Sequence, residues 1–426
     1  MTVFLNLRQE PTAAEEARPG RRRLLFVSPR FLFPVDSGGK IRTTQILRGM
    51  KGGEFDITLA SPAPRNVGRW SKELQSVADR FVSWPEAMRG RFYRWKRMRH
   101  LTSRLPIPVA TDRSAAGRRL VAAELASRPE LAVFDFSHSA VLAPDPVPIP
   151  SVMFTHNVEA EIFRRHVDVC ANPLERMLWI NQHRKMRMYE REALQRFDTI
   201  VAVSERDRRV FEDEYGTVRV DTINTGVDLD YFAYAAPSDG TGAVFTGSMD
   251  WLANIDGIEF LMDAVWPLVV RELPEIAMTV VGRAAPALLG EKARSKGYRW
   301  RFTDYVEDIR PYVREAGIYV IPLRIGGGTR LKVFEAMAMG CPVVSTAIGV
   351  EGLSLKEGRQ YVRAESSEEF AAAMLRLLKD SDLRQSLSRA ARQHVERYCS
   401  FRAVAKDFEQ ICLRTAALTG DRGFDC

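Results

Sequence analysis

The residues best suited to chemistry lie in one stretch, residues 321–345, reading IPLRIGGGTRLKVFEAMAMGCPVVS. An apolar run ends at Pro322, and Gly326, Gly327 and Gly328 then leave the backbone free to approach a ligand. Thr329 can cap the helix that follows. Unpaired N–H groups at such a helix start favour an anion. Arg330 and Lys332 fall in the first turn, where positive charge opposes the helix dipole. A bound diphosphate explains that placement; a tight turn with solvated Arg and Lys is the alternative. Glu335, about one turn further on, can accept hydrogen bonds from the vicinal hydroxyls of a ribose. A second candidate is His156, directly after the apolar residues 151–155. Imidazole can orient or polarise hydroxyls near neutral pH, although a histidine after a strand is often structural. His138, in FDFSHSA, carries the same two readings, and Glu159 and Glu161 read as solvated helix residues. A third is the pair Gly38 and Gly39, which follows Pro34 and opens a helical stretch.

The elements that must position these residues are short apolar runs alternating with helical segments. Strands are expected at residues 23–28, 57–60, 131–136, 151–155 and 199–203, with helices at 42–50 and 173–197. After a loop at 231–242 come strands at 243–246, 277–281, 318–321 and 342–345. Helices are expected at 256–270, 333–339, 366–398 and 401–418. Such alternation predicts an α/β chain with two doubly wound parallel sheets. The expected organisation is a disordered leader at 1–20, a first domain at 21–230, a second at 231–400, and a last helix and tail at 401–426 packing back towards the first domain. In each domain ligands should meet the carboxyl ends of the strands.

Length and composition narrow the classes. The chain has 426 residues, 46% hydrophobic and 27% charged, which suits two or three globular domains and excludes collagen-like and disordered classes. Five cysteines with no CxxC spacing argue against a disulfide framework or structural zinc and fit a reducing, cytoplasmic location. No apolar run is long enough to span a membrane. The net charge of +8 is uneven: residues 1–236 hold 37 Lys/Arg against 29 Asp/Glu. Residues 89–128 hold 11 against 2. That patch, with Phe92, Tyr93, Trp95 and Met98 interleaved, suits an anionic membrane surface; a solvated basic face is the plainer reading. No nucleic acid is expected, because charge alone supports it. Asp228-Leu229-Asp230 spells a metal-binding pattern, but Asp380-Ser381-Asp382 repeats it by chance. No metal ion and no cofactor are expected: Arg, Lys and helix N-termini can hold a diphosphate instead. GxGxxG and Walker patterns are absent, which disfavours a dehydrogenase or NTPase. Cys341 reads as a small buried residue.

The glycine-rich segment resembles the donor site of retaining family 4 glycosyltransferases of the GT-B fold. Residues 28–39, VAVSE at 201–205, INTGVDLDYF at 223–232 and AVFTGSMDWLAN at 243–254 extend the resemblance over most of residues 23–415. The segments GSMDW and GGGTRLK are similar to those of bacterial exopolysaccharide sugar transferases, the PEP-CTERM/exosortase-associated subgroup. The resemblance implies two Rossmann-like domains facing across a cleft. It implies a nucleotide-sugar donor held by the second domain and a saccharide or lipid-linked acceptor on the first. It places His156 near the reacting sugar, as an orienting residue, and Gly38 and Gly39 in the donor site. Two departures stand out. Glu335 matches the second of the family's two glutamates, but Gly327 occupies the first position, so backbone N–H groups of Gly327 and Gly328 would substitute. The basic pair that opens the family's second domain is missing from Gly247-Ser248-Met249-Asp250-Trp251, which leaves Arg330 and Lys332 to neutralise the diphosphate. A nucleotide-sugar epimerase and a non-catalytic scaffold are the alternatives.

Overall fold

The computed structural model describes residues 3–6, 20–86, 99–170, 172–238, 240, 242–325 and 330–418. The chain forms two compact units. The first comprises Met1–Gly226 with Arg402–Cys426, the second Val227–Phe401.

The first unit is built on β1 (Val3–Asn6), β2 (Arg22–Val27), β3 (Phe55–Ala63), β4 (Arg80–Pro85), β5 (Leu131–Asp135), β6 (Ser151–Phe154), β7 (Thr199–Ala202) and β8 (Val220–Thr222). Their order across the sheet is β1-β4-β3-β2-β5-β6-β7-β8. All neighbours are parallel except β1, which pairs antiparallel with β4. The second unit holds β9 (Gly242–Thr246), β10 (Ala277–Val281), β11 (Arg299–Phe302), β12 (Ile318–Ile321), β13 (Val343–Ser345) and β14 (Val362–Arg363), ordered β11-β10-β9-β12-β13-β14 and parallel throughout.

Helices cover both faces of each sheet, so the central strands bury side chains on both sides. Leu24 and Phe26 of β2 enter one core and Leu25 and Val27 the other, the two-residue period of a strand. Likewise β9 sends Ala243 and Phe245 one way and Val244 the other. The helices that matter below are α1 (Gly38–Met50), α2 (Glu159–Val169), α3 (Pro173–Leu194), α4 (Leu331–Ala338) and α5 (Phe401–Ala416). Helix α5 packs Val404, Phe408, Ile411 and Cys412 into the first unit's core, where the Phe408 ring lies 4.9 Å from that of Phe154.

In each sheet the chain winds outward from one strand, then returns to its other side. The switch lies between β2 and β5 in the first unit and between β9 and β12 in the second. Loops leaving the carboxyl ends of these strand pairs diverge, which opens a crevice there.

Three expectations need correction. The leader at residues 1–20 contains β1, because the free edge of β4 offers a row of backbone partners. The single helix at 366–398 is two, Ser367–Lys379 and Ser381–Tyr398, because Asp380 leaves helical geometry and its carboxylate accepts from the Leu383 N–H at 2.8 Å. Strands β4, β8, β11 and β14 were not expected from the sequence.

Candidate functional site

At the second unit's switch point, β9 ends at Thr246 and the chain turns at Gly247, whose φ is +157°. A Cβ there would lie 2.7 Å from Lys332 Nζ and 2.8 Å from Asn254 Nδ2. The ammonium of Lys332 is therefore seated directly against the turn. It donates to Asn254 Oδ1 at 3.2 Å and lies 4.3 Å from the centroid of the Phe245 ring. Glu335 follows three residues later on the same face of α4. Among the described residues its carboxylate makes no hydrogen bond or ion pair, although it is only half-exposed. Burial pushes Lys332 down to about 7, the positive Arg330 adds to the shift, and Glu335 opposes it. Burial pushes Glu335 up to about 7, against the pull of Lys332. Each charged form is thus under-solvated here, and an oppositely charged or hydroxyl-rich ligand would relieve it.

Arg330 is the N-cap of α4, buried at 2% exposure, and makes no capping hydrogen bond with its side chain. The helix begins at Leu331, two residues before the expected 333. Gly326, Gly327, Gly328 and Thr329 lie outside the described residues, as do the proposed capping by Thr329 and the backbone donors of Gly327 and Gly328. The alternative of solvated Arg and Lys is overturned by the burial of Arg330 and the half-burial of Lys332.

The loop after Gly247 carries no Lys or Arg, yet it is not without positive charge. Arg283, just after β10, donates to Ser248 Oγ at 3.1 Å and pairs with Asp250 at 3.3 Å. Ser248 Oγ in turn donates to Asp250 Oδ1 at 2.7 Å. Sequence reasoning missed Arg283 and Asn254. The one available signal was the Val-Val-Gly-Arg ending of β10, which places a charge at the carboxyl edge of the sheet.

The first unit's switch point is filled differently. Asp135 ends β5 and is fully buried. Its carboxylate pairs with His156 Nε2 at 2.7 Å and accepts from Thr43 Oγ1 at 3.0 and 3.1 Å and from Ser28 Oγ at 3.2 Å. His156 Nδ1 meets the Arg42 guanidinium at 3.2 Å, and Arg42 also donates to Thr225 Oγ1 at 2.9 Å. An arginine can only donate, so Nδ1 accepts and Nε2–H donates to Asp135. Burial holds His156 below the usual imidazole range, against the pull of Asp135. His156 is 2% exposed, and the Phe136 ring stacks on it at 3.9 Å between centroids. Both ring nitrogens of His156 are thus held by protein groups. Gly39 has a packing reason, since a Cβ there would sit 2.4 Å from the Phe136 ring. Gly38 opens α1 and is exposed.

His138 is also buried, 3.1 Å from Asp112 and 3.8 Å from Glu159. Although burial lowers its pKa, the Asp112 hydrogen bond and nearby carboxylates raise it overall. Glu159 and Glu161 are not solvated: both are largely buried, and Glu161 pairs with Arg206 at 2.7 Å. Among the described residues no group of three or more His, Cys, Asp or Glu could hold a metal ion. Cys341 is buried, and no described helix is long and apolar enough to cross a membrane.

Known proteins resemble this chain in sequence and in fold. Residues 37–231 match the family model described as Glycosyltransferase Family 4, and residues 240–380 match that of Glycosyl transferases group 1. A phosphatidyl-myo-inositol mannosyltransferase of Mycolicibacterium smegmatis is 30% identical over 207 residues, 46% of this chain and 53% of that protein. The chain spans about half the length of the curated relatives it matches. A sucrose-phosphate synthase from Thermosynechococcus elongatus superposes with a TM-score of 0.68 at 16% identity, covering 94% of this chain and all of that one. HepE from Anabaena, in complex with UDP and glucose, superposes with a TM-score of 0.63 at 13% identity, covering 92% and 99%. At such identities the solved structures speak for the fold.

Proposed function

We propose that this chain, a family 4 glycosyltransferase of the GT-B fold, moves a sugar from a nucleotide-sugar donor to a saccharide or lipid-linked acceptor. The observation that carries the donor half is the seating of the Lys332 ammonium against the Gly247 turn, with the Glu335 carboxylate, unpartnered among the described residues, one turn along α4. Lys332 takes the diphosphate and Glu335 the ribose hydroxyls. Arg283 supplies further positive charge at the edge of the Gly247 loop.

The transfer retains the anomeric configuration. The bond from the sugar's anomeric carbon to the diphosphate oxygen breaks. A bond to the acceptor hydroxyl forms on the same face, and the departing diphosphate takes the acceptor's proton. Lys332 lowers the barrier by stabilising the charge that develops on the leaving group. His156 acts within the first unit's buried network, as a positioning residue.

The relative's name specifies phosphatidyl-myo-inositol, which supports an acceptor with a lipid part; we place the reaction at the inner face of the cytoplasmic membrane. The product would be exopolysaccharide or another cell-surface glycan. Of the basic segment 89–128 first considered for membrane contact, residues 89–98, which carry Phe92, Tyr93, Trp95 and Met98, lie outside the described residues.

A thermal-shift panel tests the donor half. UDP, GDP, ADP and dTDP, each with its common sugar conjugates, are added to the full chain. One nucleotide should raise Tm by mass action, about 2.7 kcal/mol of stabilisation at a hundredfold excess over Kd. A panel with no shift overturns the donor reading. Turnover of donor without acceptor, followed by NMR, would favour an epimerase instead.

A further inference from the structure

We propose that the α2–α3 hairpin of the first unit docks on an anionic lipid bilayer, with headgroup phosphates in its arginine-lined groove and its apolar ridge in the headgroup layer. The feature begins with an unusual exposure. Leu174, Met177 and Met188 of α3 are 79%, 68% and 55% exposed, and Leu178, Ile180 and Ile162 also face solvent. Residues 173–178, the start of α3, are exposed all round.

This end of the helix is nonetheless firmly built. Asn172 Oδ1 caps it by accepting from the N–H groups of Leu174 and Glu175, and Pro173 pre-sets the first turn. Arg176 Nε donates to Val167 O at 3.2 Å, and His166 stacks on Trp179 at 4.4 Å, which ties α3 to α2. The outward side chains are therefore not waiting for a place in this unit's core.

At 100° per residue, Leu174, Met177, Leu178 and Met188 form one stripe along α3. Arg184, Arg187 and Arg191 form the stripe beside it. The opposite side, with Met186, Tyr189 and Ala193, is packed inside. The arginine stripe and Arg164 of α2 line a groove of about 470 Å³. Arg187 faces Glu214 at 3.4 Å, the one acid among the described residues of the groove's wall. Among the described residues Arg164, Arg184 and Arg191 make no hydrogen bond or ion pair. His183 Nδ1 is buried in the same groove with no hydrogen-bond partner among the described residues. Burial, then the charges of Arg164 and Arg187, hold that imidazole below its usual range. A site that resists one more positive charge attracts a negative one.

Three occupants compete. A second copy of the chain in a two-fold contact would set the arginine stripe against itself, which repels. A nucleic acid would find the charge, but the exposed side chains beside it are Leu and Met, which offer no stacking face. An anionic bilayer meets both stripes at once: phosphates for the guanidiniums and a headgroup–acyl boundary for flexible apolar side chains.

The experiment is vesicle flotation with the full chain, using phosphatidylglycerol/phosphatidylcholine vesicles and pure phosphatidylcholine vesicles, at low and high salt. The wild type should bind the anionic vesicles, leave neutral ones unbound and be released by salt. Each basic residue at such a surface is worth roughly a factor of five. Arg184→Ser/Arg187→Ser/Arg191→Ser should therefore weaken binding by about a hundredfold. Leu174→Ser/Met177→Ser should weaken it less and make what remains more salt-sensitive. Glycerol phosphate at millimolar concentration should not displace the protein, as expected for a surface rather than a single phosphate site. Wild-type binding in both variants, no binding by the wild type, or a preference for a single-stranded oligonucleotide over vesicles would each overturn the proposal. Nucleotide thermal shifts in the same variants stay at wild-type values, so vesicle docking and donor binding can fail separately.

Discussion

The two sheets share a winding order and use their switch points in opposite ways. In the first unit the crevice is closed by its own side chains. Asp135, His156, Arg42, Thr43 and Ser28 satisfy one another at 2.7–3.2 Å, and each is 0–2% exposed. In the second unit the crevice holds Lys332, with one neutral hydrogen-bond partner, and Glu335, with none among the described residues; both are held near 7. The topology offers a site twice. Whether it becomes a core or a binding place depends on whether the polar groups find partners within the chain.

The comparison breaks most visibly if the closed network is cut. Asp135→Ala strands three donors and removes one of the two carboxylates near the buried Arg42 charge, Asp207 being the other. Each buried donor left without a partner costs about 1–3 kcal/mol, and the loss is read by urea denaturation. A variant as stable as the wild type would mean that the network is not what closes this crevice. Lys332→Ala should show the opposite profile: nucleoside diphosphate affinity falls by about 1.5–3 kcal/mol, while stability holds, since the side chain's charge is poorly solvated in the folded state. Calorimetry and denaturation on one preparation give both numbers. Gly39→Ala should destabilise by about 1–3 kcal/mol through the Phe136 ring, with no separate effect on nucleotide binding; an affinity loss at unchanged stability would return Gly39 to the donor site. The smallest effect sharpens the contrast within the second unit. Glu335→Gln should cost about 1 kcal/mol for a nucleotide with an intact ribose and nothing for its 2′,3′-dideoxy analogue. Equal losses for both would exclude direct ribose contact.

Much of this was legible in the sequence. Buried parallel strands show as apolar runs, such as LAVF before Asp135 and IYVI, and the GGGTRLK segment advertises a helix start with misplaced positive charge. Strand β11, RWRF, was not legible, because alternating arginines carry little apolar signal and the strand exists by pairing with β10 at the sheet's edge. The Asp135 network was half legible. An aspartate closing an apolar strand is a signal, but Arg42 lies 114 residues from His156 in sequence and reads as an ordinary helix surface charge. The same holds for Arg283, which brings positive charge to a Gly247 loop without Lys or Arg only once β9 and β10 lie side by side.

The central claim is that Lys332 meets a diphosphate. It is tested most directly by the protons exchanged when UDP binds at pH 8, measured by calorimetry in buffers of different ionisation enthalpy. In the free protein Lys332, held near 7, is mostly neutral at that pH, while Glu335, also near 7, is mostly ionised. A diphosphate raises the lysine's pKa and draws a proton onto it, so the account predicts uptake approaching one proton, lost in Lys332→Met. UDP binding with no proton uptake, or with the same uptake in Lys332→Met, would contradict it.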